Sequence, residues 1–187
     1  LNADVRFKME NLQVTGSFKA RGAVNKLLSL TKEQRQKGVV SASTGNHGAA
    51  VAYSAQKLDV SCSIFVPKDA SAAKLQNIKN YGAKIEVYGE DCVESEKKAR
   101  EVANLSKQVY VSPYNDPYVI AGQGTIGFEI KDQCDGLDVI IISVGGGGLI
   151  GGTASYLKSA WPDLHVIGCS PINSAVMIHS INKGKIL

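Results

Sequence analysis

"VVSASTGNHGAAVAYSAQKLDVSCSIFV", residues 39–66, sets two short apolar runs on either side of an alanine-rich stretch. "VVSAS" (39–43) has the length and composition of a strand. From about Gly48 to Lys57 the residues read as a helix, and "SCSIFV" (61–66) reads as a second strand that ends at Pro67. The same alternation continues downstream. "SAAKLQNIKNYG" (71–82) repeats apolar residues at helical spacing until Gly82, and "KIEVYG" (84–89) reads as a strand. "VESEKKAREVANLS" (93–106) is a charged helix and "QVYVS" (108–112) a further strand. Strands alternating with helices predict an α/β fold, with parallel strands covered by helices on both faces.

Outside this core the pattern changes. "DVRFKME" (4–10) reads as a strand. "PYNDPYVIAGQG" (113–124), with two prolines and two glycines, reads as a junction, and "TIGFEIKDQC" (125–134) as a helix. "DVIIISV" (138–144) has the unbroken apolar character of a fully buried strand. "GGGGLIGG" (145–152) opens a helix running through Lys158, "HVIGCS" (165–170) is a strand, and "NSAVMIHSINKG" (173–184) is a helix. A small domain at 38–113, inserted into a larger one made of 1–37 and 114–187, is the expected organisation. Both ends read as cut, so the larger domain is expected to lack pieces.

Bulk properties narrow the function classes. The 187 residues are 44% hydrophobic and 20% charged, ordinary values for a globular chain. The net charge of +4 comes from scattered lysines with no basic run interleaved with aromatics, which argues against nucleic acid as a partner. The longest apolar run, "VIIISV" (139–144), is far too short to cross a bilayer. The residues after Leu1 (Asn2, Ala3, Asp4) do not form a secretion signal. Cys62, Cys92, Cys134 and Cys169 are widely separated, as are the three histidines, so no metal site is expected. Reduced, structural cysteines fit a cytoplasmic setting.

Three stretches carry chemistry. In "VGGGGLIGG" (144–152) a strand runs into four glycines and then a helix. Without Cβ atoms the backbone can approach a ligand closely, and free N–H groups at a helix N-terminus attract phosphate. A tight turn alone needs one or two glycines, not four. A nucleotide fingerprint fits poorly, because the following strand ends in Ser170 rather than an acidic residue. In "SASTGNHGAA" (41–50) a second strand turns into a helix through glycines and hydroxyls, a loop suited to a carboxylate or to ordinary capping. His47 alone reads as a structural histidine. The third stretch is "VTGSFKARGAVNKL" (14–27), which places Lys19 at the start of a helix behind a glycine, a hydroxyl and an aromatic ring. An amine on a rigid element, a phosphate cradle and a carboxylate loop together fit a lysine Schiff base to pyridoxal phosphate, with an amino acid as substrate.

"KMENLQVTGSFKARG" (8–22), "STGNHG" (43–48), "AGQGT" (121–125) and "GGGGL" (145–149) resemble, in order, the motifs of the threonine/serine dehydratase and serine racemase family. These are fold type II pyridoxal-phosphate enzymes, related in architecture to the tryptophan synthase β chain. The resemblance implies two domains with the cofactor between them. Lys19 would carry the cofactor and act as acid/base at Cα, and Phe18 would pack on one face of its ring. Asn46 would bond its phenolic oxygen, while Gly145, Gly146, Gly147, Gly148 and the amide of Leu149 would hold its phosphate. Ser43, Thr44, Gly45, Asn46 and His47 would receive the substrate carboxylate. The implied reaction converts L-threonine or L-serine to a 2-oxo acid and ammonia, by an assembly implied to be a homodimer.

Three departures from the family pattern bear on that expectation. Racemases of the family carry a serine where Thr44 stands, as proton donor on the opposite ring face. The stretch "SPINSAV" (170–176) has no carboxylate to match the acidic ligands of members that bind a divalent cation. The family's partner for the pyridine nitrogen is expected beyond Leu187. Racemisation, a lyase for a related hydroxy amino acid, and a non-catalytic cofactor- or amino-acid-binding module remain the alternatives.

Overall fold

The computed structural model describes residues 2–187. Four strands, β1 (Val39–Ala42), β2 (Cys62–Val66), β3 (Lys84–Val87) and β4 (Val109–Tyr110), form one sheet in the order β3-β2-β1-β4. All three pairings are parallel, with Val39 opposite Cys62 and Val109, and Ser63 opposite Lys84. Parallel neighbours need crossovers, supplied by α3 (Asn46–Lys57), α4 (Ala72–Asn80) and α5 (Cys92–Ser106). A second sheet pairs β5 (Val139–Ser143) with β6 (His165–Cys169), again parallel, through α7 (Gly148–Ala160).

Alternation along the strands sorts the core into two layers. Val39, Ile64 and Val66 point to one face, where they pack with Ala23, Leu27, Val51, Ile78 and Val119. Val40 and Phe65 point to the other, against Ala99 and Ala103 of α5. The first layer therefore takes in α1 (Lys19–Leu28) and α6 (Pro117–Gln133) as well as α3. Leu27 and Ile64 are fully buried, and such side chains each contribute about 1.5–3 kcal/mol of transfer free energy.

Helix starts follow local chemistry. Thr31 and Gln34 form a reciprocal capping box on α2 (Lys32–Lys37). The Asp91 carboxylate accepts from the N–H groups of Val93 and Glu94, both at 2.8 Å. Asp116 does the same for Tyr118 at 2.8 Å and Val119 at 3.1 Å, with Pro117 in the first turn.

That last cap changes the reading of 113–124. The helix expected from residue 125 begins at Pro117 and passes straight through "AGQG". The glycines serve packing. A Cβ on Gly122 would stand 2.6 Å from the Gly22 Cα on α1, and one on Gly152 of α7 would stand 2.2 Å from the Ile120 carbonyl. Two helices thus approach α6 at backbone distance on opposite sides.

Two other expectations change. Residues 4–10 form no strand; they run irregularly into a short 3-10 helix at Glu10–Leu12. Arg21 holds this segment, bonding both oxygens of Glu10 at 2.8 Å and reaching Glu129 on α6 at 2.6 Å. The β5 strand is not buried on both faces. Ile140 packs towards Leu157 and Trp161, whereas Ile141 is 67% exposed, so among the described residues helices cover only one face of this sheet. The chain closes with α8 (Val176–Lys183), which ends at Gly184 in the left-handed conformation.

Candidate active site

Lys19 is the first residue of α1, preceded by a turn in which Gly16 has φ +73°. A cation at a helix N-terminus opposes the macrodipole, so the position does not arise from helix stability. Its Nζ donates to the Pro113 carbonyl at 2.6 Å and lies 5.3 Å from the centroid of the Phe18 ring. Burial pulls its pKa from 10.5 down to about 8. At neutral pH a substantial part of the step towards a nucleophilic amine has already been made by desolvation. Phe18 is half-buried and packs against the cluster of Ile126, Ile130, Leu157 and Leu164.

The glycine turn follows β5. Gly147 has φ +83° and caps α7, whose first residue is Gly148. Among the described residues, no backbone bond outside regular elements uses the N–H of Gly145, Gly146, Gly147, Gly148 or Leu149. The first intrahelical donor here is Gly151, to the Gly147 carbonyl at 2.8 Å. Free donors at a helix N-terminus suit an anion. The turn is also sterically defined. A Cβ on Gly146 would stand 2.4 Å from the Tyr114 Cγ, while one on Gly145 would meet nothing within 4 Å. Gly145 is exposed and Gly148 buried, with Tyr114 packed along the inner side.

The second loop, Ser43–His47, connects β1 to α3. The Ser43 Oγ accepts from the Gly45 N–H at 3.2 Å, and Ser43 donates its own N–H to the Phe65 carbonyl at 3.2 Å. Gly48 is obligatory for this tight path, because a Cβ there would stand 2.4 Å from the Ser43 carbonyl. Ser43, Thr44 and Gly45 are half-exposed and Asn46 is exposed. His47 differs from its neighbours: its side chain turns inward, 3% exposed, with Nε2 3.0 Å from the Val111 carbonyl. Burial, against the opposing bond to Val111 and with a smaller push from the Lys19 charge, lowers its pKa to about 4.

The sequence did not single out the piece that joins these groups. Residues 111–115, between β4 and α6, touch all three. Val111 meets His47, Pro113 meets Lys19, and Tyr114 lies against Gly146 and Gly148. Ser41 adds a bond from its Oγ to the Val111 carbonyl at 2.8 Å. The only signal available in the sequence was the proline-rich composition, which marked a junction.

An amine held close to neutrality and a glycine turn with free N–H groups thus meet successive residues of one segment. These residues fit pyridoxal phosphate: the amine for its aldehyde, the turn for its phosphate. Among the described residues, no group of three histidine, cysteine, aspartate or glutamate side chains could hold a metal ion, and no helix is long and apolar enough to cross a membrane.

Comparison with known proteins agrees with this fit. The profile of the pyridoxal-phosphate dependent enzyme family matches residues 1–187. The chain is 43% identical over 182 residues to an L-threonine ammonia-lyase of Thermotoga maritima, covering 97% of this chain and 45% of that protein. It is 45% identical over 180 residues to the L-threonine dehydratase catabolic TdcB of Staphylococcus aureus (strain USA300), covering 96% and 52%. Threonine deaminase isoform 2 from Solanum lycopersicum superposes with a TM-score of 0.92 at 37% identity, over 96% of this chain and 52% of that one. Maize serine racemase gives 0.90 at 36%, over 95% and 54%. The chain spans about half the length of the curated relatives it matches. With the lysine, the glycine turn and the whole-length match in agreement, the chain belongs to the pyridoxal-phosphate dependent enzyme family.

Proposed function

We propose that the protein is an ammonia-lyase that converts L-threonine or L-serine to the 2-oxo acid and ammonia. The observation that carries this reading is the half-buried Lys19 amine at a helix N-terminus, with a pKa of about 8 and held by the Pro113 carbonyl next to Tyr114, which packs on the glycine turn. The names of the relatives support the substrate class.

When bound, the cofactor supplies an aldehyde that takes up the substrate amine and a ring that withdraws electrons from Cα. The chain's own residues do the rest. Gly145 through Gly148 and the Leu149 N–H hold the phosphate. Asn46 would bond the phenolic oxygen, and Phe18 would flank the ring. Ser43, Thr44, Gly45 and the backbone of Asn46 and His47 orient the substrate carboxylate, which fixes the Cα–H bond relative to Lys19. Lys19 takes that proton on Nζ. The β-hydroxyl leaves with a proton as water, and the released enamine takes up water to give the 2-oxo acid and ammonia. A small domain at 38–113, closing on 1–37 and 114–187, would exclude water during these steps. A homodimer in the cytoplasm is part of the same proposal.

Thr44 supports a second reading. Its hydroxyl stands where the family's racemases carry a serine, so proton return from the opposite face would give the D-amino acid. Incubating the full-length protein with pyridoxal phosphate and each hydroxy amino acid, then measuring 2-oxo acid and chirality, separates the two. Oxo acid formation that is abolished in Lys19→Ala supports the lyase. D-amino acid as the main product replaces it with the racemase. Amino-acid binding with no cofactor uptake would overturn both in favour of a binding module.

A further inference from the structure

The His47 imidazole has no part in the chemistry above, yet it is among the few polar side chains that are fully enclosed. It projects from the first turn of α3 to the Val111 carbonyl, with Nε2 at 3.0 Å. A carbonyl only accepts, so Nε2 carries the hydrogen, and Nδ1 is buried with no partner. The Ser41 hydroxyl occupies the same carbonyl at 2.8 Å, so two buried donors from two elements converge on one backbone oxygen. Filling the space would need only an apolar side chain. Two buried donors satisfy both lone pairs of this carbonyl and hold it from two sides.

What it fixes lies directly downstream. The Ser112 Oγ accepts from the Asn115 N–H at 3.0 Å and closes a turn. The Pro113 carbonyl within that turn takes the Lys19 Nζ at 2.6 Å. Tyr114 follows and lies against Gly146 and Gly148. Movement at Val111 therefore reaches both the reactive amine and the phosphate turn.

We propose that His47 is a positioning residue: with Ser41 it clamps the Val111 carbonyl, and so sets the Ser112–Tyr114 turn that holds Lys19 and braces the glycine turn. The inference rests on the reading of Lys19 as the cofactor lysine. It assigns the His47 side chain to the protein's own backbone rather than to substrate.

The test uses the full-length protein with three variants. His47→Leu removes the donor and keeps the bulk, His47→Gln can present an amide N–H to the same carbonyl, and Ser41→Ala removes the second donor. Hydrogen–deuterium exchange of residues 112–116 is read without cofactor. Pyridoxal phosphate affinity is read by borohydride trapping on Lys19, and kcat and KM are measured on the loaded protein. In His47→Leu, exchange at Tyr114 and Asn115 rises about tenfold while β2 is unchanged, and cofactor affinity falls about tenfold. kcat falls by more than KM rises. His47→Gln restores all three to within about threefold, and Ser41→Ala shows the same pattern at smaller amplitude. Wild-type exchange and trapping in His47→Leu would overturn the proposal, as would His47→Gln behaving as badly as His47→Leu. If His47→Leu does not fold, wild-type values in Ser41→Ala overturn it. Absence of trapping on Lys19 in the wild type would sink the function reading instead, and the exchange data would still decide the clamp.

Discussion

Lys19 and His47 bond alternate carbonyls of one turn: Nζ reaches Pro113 at 2.6 Å and Nε2 reaches Val111 at 3.0 Å. His47 is enclosed and Lys19 half-buried, and the Lys19 charge disfavours a charge on His47. The site therefore favours the neutral form of both, a condition that titration can read.

For Lys19, burial favours loss of the proton, with a pKa of about 8 against 10.5 for a free side chain. Labelling of the cofactor-free protein with an amine reagent should reach half its maximal rate at this lysine near pH 8, well before the exposed lysines. The burial penalty is fully present below pH 8 and fades as pH rises towards 10.5, so wild-type stability should climb across that window relative to Lys19→Met. Half-maximal labelling near 10.5 would contradict the buried amine.

For His47, the folded protein favours the neutral ring, with a pKa of about 4 against 6.5 unfolded. The unfolded chain then binds more protons between those values, so stability drops as pH falls from 6.5 to 4. The loss should approach about 3 kcal/mol. Urea unfolding across this range should show the slope in wild type and a flatter line in His47→Gln. Equal slopes would place the ring's charge in solvent.

The glycine turn separates folding from binding. Gly146→Ala pushes a methyl into the Tyr114 ring, where a Cβ would be 2.4 Å from Cγ. It should lower stability by about 1–3 kcal/mol. Gly145→Ala meets open space on the protein side. Its melting temperature should stay near wild type while pyridoxal phosphate binds more weakly. A thermal scan and a cofactor titration of both variants check this.

Arg21 ties the amino-terminal segment to α6, with its side chain 11% exposed and Glu10 16% exposed. The paired guanidinium, together with Lys8, pulls the Glu129 pKa down to about 2. Arg21→Ala leaves Glu10 without a cation and Glu129 with Lys8 alone, and should cost about 3 kcal/mol in urea unfolding. A change below about 0.5 kcal/mol would show that the network is a surface feature.

Much of the architecture was legible because it is local. Val39 and Val40 face opposite core layers by simple alternation, and the helix limits fell within a few residues where a cap or glycine marked them. Legibility failed at two kinds of place. Residues 4–10 have strand-like composition but, among the described residues, no strand beside them to pair with. The glycines of "AGQG" look like breakers, but in α6 they are contact surfaces, and only the approach of Gly22 and Gly152 reveals that use.

Sequence alone determined the parallel α/β arrangement, the glycine turn at a helix start and the residue types of the candidate site. Each of these depends on neighbours along the chain: strand alternation, helix periodicity, and N–H groups left free by a missing Cβ. Only tertiary structure decided that burial lowers the Lys19 pKa, that His47 turns away from the loop that carries it, and that residues 111–115 join the parts. Those outcomes depend on contacts between residues 94 and 64 positions apart, Lys19 with Pro113 and His47 with Val111. Desolvation and hydrogen-bond geometry at such separations exist only once the chain has folded.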